Sequence, residues 1–399
     1  MSDYLYLLEN HLSAAQHRVT ALFVTAAAAA DQTLYLTGGA MRDLLGGFPT
    51  RDLDFTLCGN PMKLDLNKVK EAGGVIVRKD DGRKLLAFRF ADGVTAKIGM
   101  ARSEVYAKPG GRAKIDACDI RDDLRRRDFT VNAIALGLNR SARGILADPA
   151  NGLADLEGRE LRTTNSGAFA DEPVRMARLI RFKHRLNCTI AERTEQQFQN
   201  AYEAGTQKRI TPACWFEELC AWGNDVAPSA VLRELEDKKI LLVAGINHAA
   251  VHKWEKLKRS VGLPGTGWAD GWRSLYMAMT EGLGTRAKAA LAVAFGLDEE
   301  SQTALKTLVS RARKLEAAIS ASSVRRPWDL YRTLRLYAPD EILYALNSAT
   351  QRVTQDRLRV TLQKHMPIAV AMRGEPDAEI ARRLNEKPKK VEVNSVVAE

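Results

Sequence analysis

Two carboxylates separated by one residue follow a pair of glycines near the start of this 399-residue chain. Asp52 and Asp54 flank Leu53 in a run whose alternating apolar positions predict a strand, so both carboxylates point to the same side. Carboxylate oxygens are suitable ligands for Mg²⁺, and divalent cations held in this way promote phosphoryl or nucleotidyl transfer. The pair therefore predicts a catalytic metal site.

The glycine pair has the features of a phosphate-binding turn. An apolar run at 34–36 leads to Gly38 and Gly39, whose backbone N–H groups can approach phosphate oxygens closely. Arg42 follows in the first turn of a predicted helix, where a guanidinium and the helix N-terminus both favour a triphosphate. A glycine turn or an Asp-x-Asp pair alone is common at solvated positions, but their order and spacing together indicate nucleotide chemistry.

Three further motifs follow in order. They are Arg-Arg-Asp-Phe-Thr-Val-Asn-Ala at 126–133, Asp-Pro-Ala-Asn-Gly-Leu-Ala-Asp-Leu at 148–156, and a block at 171–182 that begins Asp-Glu-Pro-Val-Arg. Together with the glycine and aspartate block, these motifs resemble the class II nucleotidyltransferases of the polymerase beta superfamily. That group includes the bacterial tRNA CCA-adding enzymes and poly(A) polymerases. The resemblance covers about residues 33–186.

The resemblance implies a role for each matching residue. Asp52 and Asp54 would be the catalytic residues and would hold Mg²⁺. The residues that would bind the nucleotide are Gly38, Gly39, Arg42, Arg127, Asp128, Asn132, Asp171, Glu172, Arg175 and Arg178. Within this set, Arg127, Asp128 and Asn132 match the block associated with the ribose and phosphates. The alternative for these three is a buried ion pair that braces the fold.

Base choice is expected at the block that begins at 171. Glu172 and Arg175 are three residues apart, which on a helix places a carboxylate and a guanidinium on one face, able to pair with the edge of a base. The family usually has Glu-Asp-x-x-Arg, whereas this chain has Asp171-Glu172-x-x-Arg175. Arg178 and Arg181 continue at a spacing of three, which predicts either a groove for RNA phosphates or a solvated basic face.

A second departure from the family is a lysine at a position that is commonly acidic. The family has a carboxylate five residues before the arginine that corresponds to Arg102, and that position is Lys97 here. A lysine there can bind phosphate, face solvent or mark altered catalysis. The nearest other carboxylates, Asp92, Glu104 and Asp116, have no sequence signal for the missing role.

The predicted fold class is α+β. A polymerase-beta-like nucleotidyltransferase head, with a mixed sheet and helices, precedes an all-helical neck, body and tail. A helix over 3–30 leads the head, apolar and β-branched runs at 75–77, 85–90, 94–98 and 131–138 predict strands, and the charged segment 78–84 predicts a hairpin turn. The predicted domains are 1–150 for the head with its N-terminal helix, 151–215 for the neck with the base-selection motif, 216–385 for an RNA-binding body and tail, and 386–399 for a frayed C-terminus.

Composition is consistent with an RNA-handling enzyme. The formal net charge is +11, which attracts polyanions. The longest apolar stretch, near 20–30, is short and alanine-rich, so we expect no membrane partner and a cytoplasmic location. The five cysteines lack a Cys-x-x-Cys pair, which favours reduced thiols over a zinc ribbon.

The sequence thus predicts a template-independent RNA nucleotidyltransferase. It would use CTP and ATP with Mg²⁺ to add CCA to the 3′ end of tRNA and release pyrophosphate. The alternatives are a CC-adding or A-adding partial tRNA nucleotidyltransferase, a poly(A) polymerase, and a catalytically inactive RNA-binding homologue. The sequence leaves the oligomeric state open.

Overall fold

The structure is a computed structural model that describes residues 3–225, 227–241, 245–261, 271–321, 324–372 and 375–385. The chain divides into two compact units. The first comprises Met1–His248 and Leu283–Leu297, and the second comprises Ala249–Gly282 and Asp298–Glu399. The segment 386–399, predicted to be frayed, lies outside the described residues, and the predicted domain boundaries remain predictions.

A seven-stranded mixed sheet is the framework of the first unit. The strands up to residue 147 are β1 (Thr33–Thr37), β2 (Asp52–Cys58), β3 (Val75–Asp80), β4 (Leu85–Arg89), β5 (Thr95–Met100), β6 (Arg102–Tyr106), β7 (Ala113–Ala117), β8 (Ala135–Gly137) and β9 (Leu146–Ala147). The order in the sheet is β3-β4-β5-β2-β1-β8-β9, and β6 and β7 form a separate hairpin. β2 is parallel to β5 and antiparallel to β1, so the strand with the two aspartates has a partner on each side.

The segment 3–30 forms two helices rather than the predicted single one. They are α1 (Asp3–His11) and α2 (Ala14–Ala29). The break lies at Ser13, whose hydroxyl accepts a hydrogen bond from the backbone N–H of Gln16, while the Gln16 side chain accepts one from the N–H of Ser13. This capping box satisfies N–H groups at the start of α2, so a new helix begins where the apolar periodicity alone suggests continuity.

Helix α2 covers one face of the sheet through a cluster of aromatic rings. Phe23 of α2 lies 5.2 Å from Phe55 of β2 and 5.3 Å from Phe88 of β4, measured between ring centroids. All three side chains are buried in one apolar core. Burial of these rings fixes β2 against α2 and so provides a rigid base for the aspartates.

The predicted strands at 75–77, 85–90 and 94–98 are present, and the charged segment 78–84 contains the turn between β3 and β4. The prediction for 131–138 is wrong in its first half, because Thr130–Asn132 is a 3₁₀ turn and only β8 is a strand. The β6–β7 hairpin was not predicted, because its strands are rich in polar residues and lack an alternating apolar face.

Helices dominate the rest of the first unit. Those that follow α2 up to residue 237 are α3 (Gly38–Leu45), α4 (Asn67–Glu71), α5 (Ile120–Arg125), α6 (Gly152–Glu157), α7 (Ala168–Asp171), α8 (Arg175–Leu186), α9 (Glu192–Glu203), α10 (Pro212–Asn224) and α11 (Pro228–Asp237). A two-residue parallel pairing of β10 (Glu160–Leu161) with β11 (Thr189–Ile190) interrupts the helical pattern.

The remaining helices are α12 (His248–Val261), α13 (Trp272–Met279), α14 (Thr285–Ala294), α15 (Glu299–Ser320), α16 (Pro327–Leu334), α17 (Pro339–Ser348), α18 (Arg352–Val360), α19 (Met366–Ala371) and α20 (Asp377–Asn385). Of these, α14 belongs to the first unit. The second unit encloses its own apolar core, which includes Leu315, Leu334 and Leu346. The α+β class, with a mixed-sheet head before a helical region, is confirmed. Among the described helices, none has the length and apolar character needed to cross a membrane.

Candidate active site

The glycine pair stands where β1 ends and α3 begins. Gly38 has φ +61°, a backbone conformation that favours glycine, and its neighbours leave little room for a side chain. A Cβ at Gly38 would meet Nη1 of Arg127 at 3.1 Å, and one at Gly39 would meet Oδ2 of Asp54 at 3.3 Å. The glycines therefore allow a guanidinium and a carboxylate to approach the N-terminus of α3.

Asp52 and Asp54 lie on the same side of β2, as the sequence predicts from their spacing. Asp52 is exposed and Asp54 is half-buried. Burial raises the pKa of Asp54 above its usual range and Asp52 adds to this effect, while Lys97, Arg127 and Arg42 oppose it. Two like charges held this close favour a bound cation, because the cation relieves both their repulsion and the loss of hydration.

Strand β5 places Thr95 opposite Asp52 and Lys97 opposite Asp54. Thr95 is in register with Asp52 and donates a hydrogen bond from its hydroxyl to that carboxylate. Lys97 is in register with Asp54, and the charge of Asp54 is the main cause of a raised pKa for Lys97. The position expected to be acidic therefore brings a positive charge to the aspartate pair.

No other nearby carboxylate completes a three-carboxylate site. Asp92 pairs with Arg18, Asp116 pairs with Lys114, and Glu104 lies between Arg102 and Arg126. Across the described ranges, no group of three or more His, Cys, Asp or Glu side chains is arranged to hold a metal ion. The hard oxygen donors of the aspartate pair suit Mg²⁺, which commonly uses one or two carboxylates together with water and substrate phosphates.

Arg127 connects the glycine turn to the helix that precedes it in sequence. Its guanidinium donates to Oδ2 of Asp123 at 2.8 Å and to the hydroxyl of Thr56 at 3.0 Å. Arg126 also donates to Asp123, whose side chain is fully buried. Asp123 thus fixes Arg127 beside Gly38, with its positive charge close to Asp54.

A closed circuit of charged and amide side chains runs along one face of α8 and joins it to α3 and α10. Arginines alternate with carboxylates along the circuit, except that the amide of Asn132 links Arg42 to Asp128. We call this circuit the charge ring. Its members, in order, are Arg42, Asn132, Asp128, Arg178, Glu218, Arg181, Asp225, Arg185 and Asp43. Four guanidinium groups therefore face four carboxylates.

The side of the charge ring next to the glycine turn contains Arg42. Its Nη2 donates to Oδ1 of Asp43 at 2.7 Å and its Nη1 donates to Oδ1 of Asn132 at 2.7 Å. Asn132 in turn donates to Oδ1 of Asp128 at 2.9 Å. Arg42 is only 2% exposed. Its predicted contact with the triphosphate stays a prediction, and its observed contacts are with protein groups.

The side of the charge ring along α8 contains three arginines. Arg178 donates to Asp128 at 3.1 Å and to Glu218 at 3.3 Å. Arg181 donates to the other oxygen of Glu218 at 2.8 Å. Burial acts to raise the pKa of Asp128, but Arg178 and Arg175 outweigh it and hold that pKa at about 2. The carboxylate of Asp128 is therefore ionised, and both Asp128 and Glu218 are paired with arginines.

Asp225 and Arg185 close the charge ring. Arg181 donates to Asp225 at 3.5 Å, and Arg185 lies 3.6 Å from the second oxygen of that carboxylate. Arg185 also donates to Asp43 at 2.9 Å. The expectation of a solvated basic face is wrong for Arg181, which is buried. Both Arg178 and Arg181 donate to carboxylates of the protein, an arrangement that neither alternative for these two arginines included.

The base-selection block lies at the junction of α7 and α8. Glu172 is extended rather than helical, so the prediction that it shares a helix face with Arg175 is wrong. The pair is nevertheless formed, because Arg175 donates to Glu172 at 3.1 Å and to the carbonyl of Arg126 at 2.9 Å. Tyr106 donates its hydroxyl to the other oxygen of Glu172 at 3.1 Å.

The same junction opens into a cleft of about 260 Å³. Its lining includes Asp171, Arg175, Tyr106 and Glu104. Burial raises the pKa of Asp171, and the nearby Arg175 opposes this shift. A cleft that is lined by polar side chains, including two of the base-selection block, is suited to bind a polar heterocycle.

Several side chains that position the site were missed from the sequence. Two of them could have been found from the sequence, because Asp43 lies inside the glycine motif and Arg185 continues the series of arginines along α8. No sequence signal points to Tyr106, Glu218 or Asp225, because their contacts with the site depend on how the β6–β7 hairpin and α10 pack against it.

Comparisons with known proteins agree with this geometry. Residues 34–162 match the poly A polymerase head domain. The chain is 32% identical over 239 residues to the A-adding tRNA nucleotidyltransferase of Halalkalibacterium halodurans, covering 59% of this chain and 56% of that protein. It is 33% identical over 218 residues to the multifunctional CCA protein of Thioalkalivibrio sulfidiphilus, covering 52% of this chain and 49% of that protein. The chain thus spans about half the length of these curated relatives.

The fold extends beyond the part that sequence identity covers. A solved structure of a CCA-adding enzyme in an apo form aligns with a TM-score of 0.58 and 20% identity, over 98% of this chain and 96% of that one. At that identity the alignment establishes the fold. The glycine turn and the aspartate pair lie within residues 34–162, the segment that matches the poly A polymerase head domain.

Proposed function

We propose that this protein is a template-independent tRNA nucleotidyltransferase that uses CTP and ATP with Mg²⁺ to build CCA at the 3′ end of tRNA. The observation that carries the proposal is the position of Asp52 and Asp54, on one side of β2, beside the Gly38-Gly39 turn at the start of α3. Relatives named as A-adding and multifunctional CCA enzymes support the choice of tRNA as substrate.

The aspartate pair and the glycine turn have complementary roles in this proposal. Asp52 and Asp54 would hold Mg²⁺, which would lower the pKa of a 3′-hydroxyl and offset phosphate charge. Backbone N–H groups at Gly38 and Gly39, with the guanidinium of Arg127, would face the triphosphate. The 3′-hydroxyl of tRNA attacks the α-phosphorus, a phosphodiester bond forms, and pyrophosphate leaves.

The charge ring would position the sugar and the base. Asp128 and Asn132 would lie near the ribose, where a hydrogen bond to the 2′-hydroxyl favours ribonucleotides. Arg42 and Arg178 belong to the nucleotide-binding set, but their protein contacts favour a positioning role.

Glu172 and Arg175 would select the base, with Asp171 at the edge of the adjoining cleft. Burial acts to raise the pKa of Glu172, but Arg175 and Arg178 together outweigh it and keep the carboxylate ionised. The pair would therefore offer a cytosine or adenine both acceptors and donors. The helices beyond residue 216 would hold the tRNA, and the net charge of +11 supports this assignment.

Product analysis with tRNA lacking the CCA end tests the proposal. With CTP alone we expect two added nucleotides, with ATP alone none, and with both nucleotides three. Addition of CC without A from the mixture would identify a CC-adding enzyme, and addition of A only to tRNA already ending in CC would identify an A-adding enzyme. Long tails from ATP alone would identify a poly(A) polymerase.

The variant Asp52→Ala/Asp54→Ala separates an enzyme from an inactive RNA-binding homologue. We expect this variant to release no pyrophosphate in the presence of Mg²⁺ while retaining its affinity for tRNA. Release equal to that of the parent protein would contradict the proposed chemistry.

A further inference from the structure

Because Lys97 stands on the neighbouring strand, the aspartate pair has a less negative surrounding than a site built from three carboxylates would have. Strand β5 runs parallel to β2 and sets Lys97 directly opposite Asp54, in the same register in which Thr95 faces Asp52. The Thr95 hydroxyl donates to Asp52, whereas no hydrogen bond to the carboxylate of Asp54 occurs in the part of the chain that the structure describes. Lys97 thus stands on the neighbouring strand opposite the carboxylate that lacks a donor, and no close ion pair joins the two side chains among the described residues.

We propose that Lys97 takes the place of one divalent cation, so that the aspartate pair binds a single metal ion while the ammonium neutralises Asp54. This inference rests on the proposed nucleotidyl transfer and concerns the number of cations that support it.

The first argument is charge. Two carboxylates carry a charge of −2, and a third carboxylate at position 97 would make it −3, whereas Lys97 leaves −1. A first divalent cation makes the site positive, and a second one would have to bind next to both that cation and the ammonium. Repulsion from two neighbouring positive charges disfavours the second ion.

The second argument is the surroundings of Lys97. On its other side, β4 pairs Ala87 with Lys97, and on β3 the residue opposite Ala87 is Arg78. Arg78 pairs with the exposed Glu217, so the nearest acidic side chain across the sheet already has a partner. Among the acidic side chains that act on Lys97, Asp54 therefore has the largest influence, ahead of Asp52 and Glu217.

The third argument is that a lysine can do part of what a cation does. An ammonium is a compact point charge with three donors, and it can neutralise a carboxylate or a phosphate oxygen. It cannot lower the pKa of a coordinated hydroxyl in the manner of a metal ion. One Mg²⁺ would therefore remain necessary, and Lys97 would replace the ion whose role is chiefly electrostatic.

Manganese titration followed by electron paramagnetic resonance tests this inference without a turnover measurement. The full chain is titrated with Mn²⁺ without nucleotide, because a triphosphate binds Mn²⁺ by itself, and the unbound Mn²⁺ signal gives the stoichiometry and affinity of the protein site. We expect one Mn²⁺ per chain for the parent protein. For Lys97→Asp we expect two, and for Lys97→Met we expect about tenfold tighter binding, because the competing charge is removed without adding a ligand.

Lys79→Met is the matched control for Lys97→Met. Lys79 lies on β3 of the same sheet, is exposed and pairs with Asp81, so its replacement changes the net charge equally at a distance from the aspartates. We expect it to bind Mn²⁺ as the parent does. Thermal melting of each variant verifies folding, and Lys97→Met keeps the test valid if Lys97→Asp does not fold.

Two outcomes would overturn the role of Lys97. These are two Mn²⁺ ions per chain in the parent protein, or an unchanged Mn²⁺ affinity in Lys97→Met. Failure of the proposed function has a different signature, because Asp52→Ala/Asp54→Ala would then bind Mn²⁺ exactly as much as the parent protein does.

Discussion

The aspartate pair and the charge ring are built from the same kinds of side chain and differ in whether those side chains have protein partners. In the charge ring, Asp43, Asp128 and Glu218 each accept hydrogen bonds from at least two donors. In the aspartate pair, Asp52 accepts from one threonine, and no hydrogen bond to the carboxylate of Asp54 exists among the described residues. Charges that are mutually satisfied position the site, and charges that are not remain available for a ligand.

This difference has a physical basis in the energy of burial. A charged group removed from water must recover its lost hydration from other groups, and the charge ring achieves this with alternating ion pairs and an amide. Asp54 recovers little of it, so its pKa is raised above the usual range. Variants of the charge ring should therefore affect folding first, and variants of the aspartate pair should affect chemistry first.

The largest effect is expected at Asp54. Asp54→Asn keeps the shape of the side chain but removes a negative charge that a metal ion requires, so nucleotidyl transfer should fall by about a thousandfold, equivalent to about 4 kcal/mol. The melting temperature should change little, because the carboxylate makes no described hydrogen bond. Single-turnover rates and thermal melting are the measurements. Asp81→Asn, in the turn between β3 and β4, is a control with the same chemical change, and a large loss of stability in Asp54→Asn would contradict the distinction.

The next largest effect is expected at Glu218, which accepts from both Arg178 and Arg181. Glu218→Gln leaves the buried Arg181 and the half-buried Arg178 without their shared carboxylate, and the free energy of unfolding should fall by about 3 kcal/mol. Chemical denaturation measures this loss. Glu217→Gln is the matched control, because Glu217 is adjacent on α10, 53% exposed in its side chain, and pairs with Arg78 on the surface. Its replacement should cost at most about 1 kcal/mol, and equal losses for the two variants would refute a special role for the charge ring.

Much of the head was predictable because its signals are local. Glycines before a helix, alternating apolar positions around Asp52 and Asp54, and the charged turn at 78–84 all depend on residues close in sequence. The α+β class followed from the same signals.

The partners of the arginines on α8 were not predictable. Their spacing gives the face of the helix, but it cannot tell solvent or RNA from a carboxylate on another helix, and Glu218 is 40 residues from Arg178. Similarly, Tyr106 reaches Glu172 through a hairpin whose polar strands gave no strand signal. Long-range pairing of polar groups has no periodic signature in a single sequence.

A smaller effect is expected at the glycine turn, which lies between the aspartate pair and Arg42 of the charge ring. Gly38→Ala must adopt a positive φ and bring a methyl group within 3.1 Å of Arg127, so it should lose about 1 kcal/mol of stability and raise the KM for the nucleotide several-fold. Gly47→Ala is the control, because it has φ +69° and no atom within 4 Å of the added Cβ. It should lose similar stability with an unchanged KM, and parallel changes in KM would argue against triphosphate binding at Gly38.

The smallest effect is expected at Tyr106, whose hydroxyl contacts the carboxylate of Glu172 in the base-selection block. Tyr106→Phe removes a hydroxyl that contacts Glu104 at 2.7 Å and Glu172 at 3.1 Å. The ion pair of Glu172 with Arg175 remains, so this carboxylate keeps its charge and loses part of its orientation. One such hydrogen bond is worth about 1 kcal/mol, which corresponds to about a fivefold change in the ratio of kcat/KM for CTP and ATP. A structural role alone would lower both values of kcat/KM equally and leave their ratio unchanged. Glu172→Asp shortens the same carboxylate by one methylene and should shift the ratio in the same direction, because it also weakens the contact with Tyr106.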